Sequence, residues 1–167
     1  MSDRKKEFEQ AAEKLREMKT IEEILDTATA FEESARDFYT TLAPKVSKRI
    51  RWLVEELAEE ETEHYRLFSE LATNTRNSDA IQIRVETPHS DGKFTDCLHL
   101  PDLGESPDDQ EVMLYALGRE QAAMEQYRAL ADSTGPGEIH DLFEFLANEE
   151  TKHKAELEKL YYELIHS

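Results

Sequence analysis

Leu57 to His64 reads L-A-E-E-E-T-E-H and Leu146 to His153 reads L-A-N-E-E-T-K-H, one octapeptide used twice with the shared core L-A-x-E-E-T-x-H. Each copy ends in ExxH. On a helix, residues three apart share a face with their Cβ atoms about 5 to 6 Å apart, so Glu61 with His64, and Glu150 with His153, are placed to grip one ion. The flanks decide whether they point inward. Ile139, Leu142 and Leu146 precede the second pair and Leu157, Leu160 and Leu164 follow it, at steps of three and four; Ile50, Leu53 and Leu57, then Leu67 and Leu71, frame the first. Both pairs therefore interrupt a buried apolar stripe, where a carboxylate is costly unless paired or metal-bound. Two other ExxH spacings, Glu86 with His89 and Glu163 with His166, lack such flanks and a repeat partner.

Outward from these motifs the pattern is helical. Arg4 to Met18 places Phe8, Ala12, Leu15 and Met18 on one side of a short amphipathic helix, within an N-terminal segment 1–19. Thr20 with Glu23 forms a capping box, and Ile21, Ile24, Ala28, Phe31, Ala35, Phe38 and Leu42 make a bundle seam ended by Pro44. Glu32 flanks that seam, with Tyr39 two turns on. The second helix is expected from about Lys45 to Ala72, in an antiparallel hairpin with the first; Trp52 is expected to be a core or interface aromatic.

Between 74 and 105 breakers dominate, and Ala80 to Glu86 alternates enough for one short extended segment. A connection this long suits a bundle whose second and third helices run parallel, because the chain must travel the bundle's length to re-enter at the same end. His89 and His99 read as surface residues of this crossover. Ser106 and Pro107 are expected to open the third helix as N-cap and first residue, with Asp109 closing the box. Met113, Leu117, Met124, Tyr127 and Ala131 form its stripe, with Glu120 where an apolar residue is expected; Gly135, Pro136 and Gly137 turn the chain into a fourth helix, Glu138 to about Ile165.

Composition agrees with an all-α chain: 167 residues, with five Gly and five Pro, suit one bundle domain over 20–167. A net charge of −18 argues against nucleic acid and against an anionic membrane. No apolar run approaches the 18 or so residues of a membrane span, and Met1 to Thr20 is too charged for a secretory signal, so a soluble, cytoplasmic protein is expected. Cys97 is the single cysteine, which leaves no disulfide frame and no thiolate cluster.

The two hairpins are copies. Glu120 minus Glu32 gives 88, an offset that also brings Ala35 onto Ala123, Tyr39 onto Tyr127 and Leu42 onto Leu130; the octapeptides are offset by 153 − 64 = 89. A pseudo-twofold bundle follows, with Glu32, Glu61, His64, Glu120, Glu150 and His153 converging at its centre. One Glu from each of two helices and a Glu with a His from each of the others is the donor set of di-metal carboxylate bundles. Four carboxylates balance two divalent ions. By symmetry Glu61 and Glu150 bridge and Glu32 and Glu120 are terminal, while Tyr39 and Tyr127 are placed to orient the terminal carboxylates. The ligands alone do not choose between iron and manganese, and zinc is a further alternative.

F-E-E-S-A-R-D-F-Y around Glu32, the two ExxH octapeptides and A-L-G-R-E around Glu120 resemble the rubrerythrin branch of the ferritin-like superfamily, from about Thr20 to Ser167. The resemblance implies a ferritin-like four-helix bundle of two antiparallel hairpins, and it selects Glu32 over Glu33, because the family places Ala three and Tyr seven residues after the ligand. It implies two iron ions cycling between Fe2+ and Fe3+, reduction of hydrogen peroxide or oxidation of ferrous iron by oxygen, a role in oxidative stress, and a homodimer. Glu61, Glu150, Tyr39 and Tyr127 are the residues expected to act in turnover. Two departures stand out. Rubrerythrins proper carry a rubredoxin iron site with four cysteines, so electrons here must come from a separate donor such as a rubredoxin. They also carry a further glutamate one turn beyond the third-helix ligand, where this chain has Ala123. Iron handling, as in ferritins, and a metal-stabilised module without catalysis are the alternatives to an oxidoreductase.

Overall fold

The computed structural model describes residues 3–6, 19–75, 84–85, 94 and 102–166. Four long helices carry the architecture: α1 Ile21–Leu42, α2 Lys48–Thr75, α3 Asp109–Ser133 and α4 Glu138–Ile165. Residues 3–6 are helical, as the sequence leads one to expect, while the apolar side of the N-terminal helix, together with Cys97, His89 and His99, lies outside the described residues. Segment 1–19 does not end as helix. Lys19–Thr20 is instead a two-residue strand, β1, paired antiparallel with β2, Arg84–Val85, in the register Lys19 to Val85. β2 falls inside the extended segment expected over Ala80 to Glu86.

Local chemistry sets the helix ends. Thr20 is the N-cap of α1: its hydroxyl oxygen accepts the Glu23 amide hydrogen at 3.2 Å. The helix stops at Leu42, ahead of Pro44. The opening of α3 differs from the sequence expectation. Asp108, not Ser106, is the cap, its carboxylate accepting from the amides of Gln110 and Glu111. Asp109, freed from any capping box, reaches sideways to the α1–α2 turn, where the Ser47 hydroxyl donates to it at 2.5 Å. That contact joins the start of α2 to the start of α3, so the two helices enter at the same end and run parallel, as the long crossover requires. At the other turn Gly137 takes φ 152°, a backbone state that side chains with a Cβ rarely adopt, and His140 Nδ1 meets the Ala131 carbonyl at 2.8 Å.

α1 packs along α2, and α3 along α4; between the hairpins the main approach of backbones is α2 to α4. Every seam residue named on α1 is buried. The core divides into two apolar clusters. One gathers Leu25, Phe31, Phe68, Tyr127, Phe143 and Leu146; the other gathers Phe38, Ile50, Leu57, Met113 and Leu157. The buried carboxylates and histidines of the four helices lie between them. Trp52 is 56% exposed, which removes it from the core. Among the described residues no helix is long and apolar enough to cross a membrane.

Phe68 is fully buried between Tyr127 and Phe143. Phe68→Ala is expected to cost about 3–5 kcal/mol in urea unfolding, whereas Tyr162→Ala, at a residue 64% exposed, should stay within about 0.5 kcal/mol.

Candidate metal centre

The six residues singled out by the sequence meet in the gap between the two clusters, each at most 3% exposed. α1 contributes Glu32, α2 Glu61 and His64, α3 Glu120, and α4 Glu150 and His153. They form two overlapping groups, Glu32, Glu61, His64 and Glu150 in one and Glu61, Glu120, Glu150 and His153 in the other, with the donor atoms of each group within 4.8 Å of one another. Glu61 and Glu150 belong to both. The overlap puts them between the two groups, the place where the symmetry of the sequence leads one to expect bridging ligands.

His64 Nδ1 lies 3.2 Å from Glu61, 3.4 Å from Glu150 and 3.5 Å from Glu32. His153 Nδ1 lies 3.4 Å from both Glu120 and Glu150 and 3.7 Å from Glu61. The imidazoles stack with centroids 5.8 Å apart and planes 17° apart. Tyrosines complete the arrangement crosswise. The Tyr39 hydroxyl of α1 donates to Glu120 of α3 at 2.6 Å, and the Tyr127 hydroxyl of α3 donates to Glu32 of α1. Glu120 and Glu32 are thus each held by the opposite hairpin.

The residues fit a pair of cations. Glu32 Oε2, Glu120 Oε2, Glu150 Oε1 and His153 Nδ1 are buried without a hydrogen-bond partner among the described residues, although they crowd one space. Unsatisfied buried acceptors of this kind are rare in folded proteins and mark a missing ion or water. Oxygen and imidazole donors together suit first-row divalent metals.

Protons show the same crowding. Burial first, then the neighbouring charge of Glu120 at Tyr39 and of Glu32 at Tyr127, pushes both hydroxyls well above the usual phenol range, so both remain hydrogen-bond donors. Burial and the charge of Glu120 raise Glu150 to about 8; burial with Glu150 and Glu32 raises Glu61. Glu120 goes the other way, to about 2, because contacts from Glu150, His153 and Tyr39 overcome its burial. Glu32 is lowered likewise, by Glu61, His64 and Tyr127 against burial. Burial alone would depress the imidazoles, but the surrounding carboxylates raise both His64 and His153 well above the ordinary range.

Two functional neighbours are absent from the sequence reading. Glu60 Oε2 meets the outer nitrogen, Nε2, of His153, and that contact lowers the Glu60 carboxyl. Arg119 is fully buried, donating to Ser34 at 3.1 Å and lying over the rings of Phe31 and Phe38. A signal existed for the first: both octapeptides carry a Glu immediately before the inward Glu.

Fold and site together define a helical-bundle protein with a buried centre of four carboxylates and two histidines. The sequence matches the rubrerythrin family over residues 23–161, and the chain belongs to that family. With the buried cluster, membership supports a di-iron protein. No curated protein sequence matches the chain. Among solved structures, a hypothetical protein from Pyrococcus furiosus superposes with a TM-score of 0.68 at 24% identity, covering 88% of this chain and 91% of that one. The bacterioferritin-related protein of Bacteroides fragilis, described as a dodecameric thioferritin, gives 0.68 at 18% identity, covering 95% of each chain. These likenesses establish the ferritin-like fold.

Without metal, stability should fall as pH rises from about 6.5 to about 8. Glu150 at about 8 and Glu61 are raised above the carboxylate value of 4.5, and both histidines above 6.5, so in that window the folded state binds more protons than the unfolded chain. Glu32 and Glu120 are depressed, and their contribution is lost only as pH falls below 4.5. Calorimetry of the metal-free protein should therefore show Tm decreasing across the window, and divalent metal, which replaces these protons, should remove the decrease.

Proposed function

We propose that the protein is a non-haem di-iron oxidoreductase of rubrerythrin type, in which Glu32, Glu61, His64, Glu120, Glu150 and His153 hold two iron ions and hydrogen peroxide or oxygen is reduced as the ferrous pair is oxidised. The observation that carries this reading is the overlap of two buried donor groups on Glu61 and Glu150. When bound, the ferrous pair supplies two electrons to one oxidant. The chain does the rest. Four carboxylates neutralise two divalent ions, so reduced metal is held without net charge in an apolar interior. Tyr39 and Tyr127 keep their protons and fix Glu120 and Glu32, while Glu61 and Glu150 would be the carboxylates shared by the two ions. The apolar clusters on either side keep bulk water away from the reacting centre.

Cys97 is the single cysteine of these 167 residues, so no four-cysteine iron site lies within them, and reducing equivalents come from a separate donor such as a rubredoxin. The assembly that goes with this reading is a homodimer in the cytoplasm. Iron handling by ferroxidation is the second reading, favoured by the fold shared with a protein described as a dodecameric thioferritin. Sedimentation of the native protein separates them: a dimer is expected, and a closed dodecamer would favour iron handling.

Anaerobic ferrous protein mixed with peroxide, and separately with oxygen, tests the reaction. Ferric absorption should form faster than with free iron, and faster with peroxide than with oxygen. Glu150→Ala should abolish it. Tyr127→Phe should lower metal affinity or rate by about 10- to 100-fold. Formation no faster than free iron with either oxidant rules out the catalytic reading.

A further inference from the structure

We infer that the two metal positions are inequivalent, with Glu60 making the position at His153 the tighter and leaving the one at His64 exchangeable; the inference rests on the dinuclear reading proposed above. The duplication makes the difference visible. Glu60 and Glu149 hold the same place in the two octapeptides, so a symmetric site would put Glu60 on the outer nitrogen of His153 and Glu149 on that of His64. Only the first contact exists. Glu60 Oε2 meets His153 Nε2, with both atoms buried. Glu149 instead accepts from Lys152 of its own helix at 3.2 Å. Among the described residues no carboxylate reaches ion-pairing distance of His64 Nε2.

Two differences between the octapeptides and their flanks explain the divergence. Lys152 stands where the first copy has Glu63, and it draws Glu149 back along α4. Phe145 stands where the first copy has Glu56. Its ring lies edge to face with that of His64, centroids 6.5 Å apart, and is itself 46% exposed.

The chemistry follows from which nitrogen carries the proton. An imidazole that offers Nδ1 inward must keep its proton on Nε2. At His153 the Glu60 carboxylate stands against that nitrogen, placed to fix the tautomer, align the ring and make Nδ1 the stronger donor; losing such a partner costs about 10- to 100-fold in metal affinity. His64 has no such carboxylate among the described residues. The first ion therefore occupies the Glu120 and His153 side, and the second, on the Glu32 and His64 side, is the one that leaves.

Titrating metal-free protein with Co2+ by calorimetry tests this. The wild type should bind two ions in steps separated by about 10- to 100-fold in affinity. Glu60→Gln, which keeps the shape and removes the charge, should weaken the tighter step until the two merge, while Glu149→Gln leaves the steps apart; the far-ultraviolet circular dichroism of both variants should match the wild type. A second measurement needs no variant. In the Co2+-loaded wild type the hyperfine-shifted imidazole N–H of His153 should persist in deuterated water after that of His64 has exchanged. Two equal steps, an unaltered titration in Glu60→Gln, or equal exchange at the two histidines would overturn the inference. Two bound ions with equal affinity leave the dinuclear reading intact, whereas binding of no Co2+ removes that reading and this inference with it.

Discussion

Four carboxylates share the interior of a small helical bundle, and the rest of the structure is arranged around the need to cancel their charge. Isolated in an apolar medium, each would cost several kcal/mol. The chain meets this in three ways. Two imidazoles lie among the carboxylates, two buried phenols donate to them, and the remaining lone pairs point at common positions suited to cations. Apolar clusters at both ends exclude water, which raises the cost of the charges and equally strengthens their hold on an ion.

The crosswise tyrosines join the duplicated halves. Each hairpin closes on itself through a short turn, yet neither can form the centre alone, because Glu120 and Glu32 are each held by a phenol from the other hairpin. Assembly of the centre and hairpin docking are in this sense one event. Ser47 with Asp109 adds a tie at one end of the bundle, independent of the centre.

Much of this was legible in the sequence, for a specific reason. Glu61, His64, Glu150 and His153 interrupt a regular apolar stripe, and a charge in such a place has few inexpensive explanations. Glu32 and Glu120 are less conspicuous and were reached through the internal duplication and the resemblance that followed from it. Glu60 and Arg119 are not legible in this way because each sits one residue, or about 100° of helix, away from the inward position, where a charged side chain ordinarily faces water; the contact of Glu60 and the burial of Arg119 are decided by the neighbouring helix. Trp52 differs in the opposite sense, a large apolar residue off the stripe that the fold leaves exposed, which excludes the core place of the core or interface places expected for it. Ser106 and Asp108 are both competent caps two residues apart, and the choice between them depended on Asp109 being needed at Ser47.

The stacked pair Phe31 and Phe94, with centroids 4.2 Å apart, has a bearing on how the long link between hairpins is tolerated. Phe94 also meets Tyr127, so one aromatic from the link is seated beside the phenol that holds Glu32. Together with the pairing of Arg84–Val85 to Lys19–Thr20 it moors the tether at two stations along its course. Closure entropy grows with the logarithm of loop length, so shorter spans between moorings cost little each once the previous one is made. The link thereby becomes a third party to the centre: a change of side chain at Phe94, distant in sequence from every donor, would be felt first as a loosening of Tyr127.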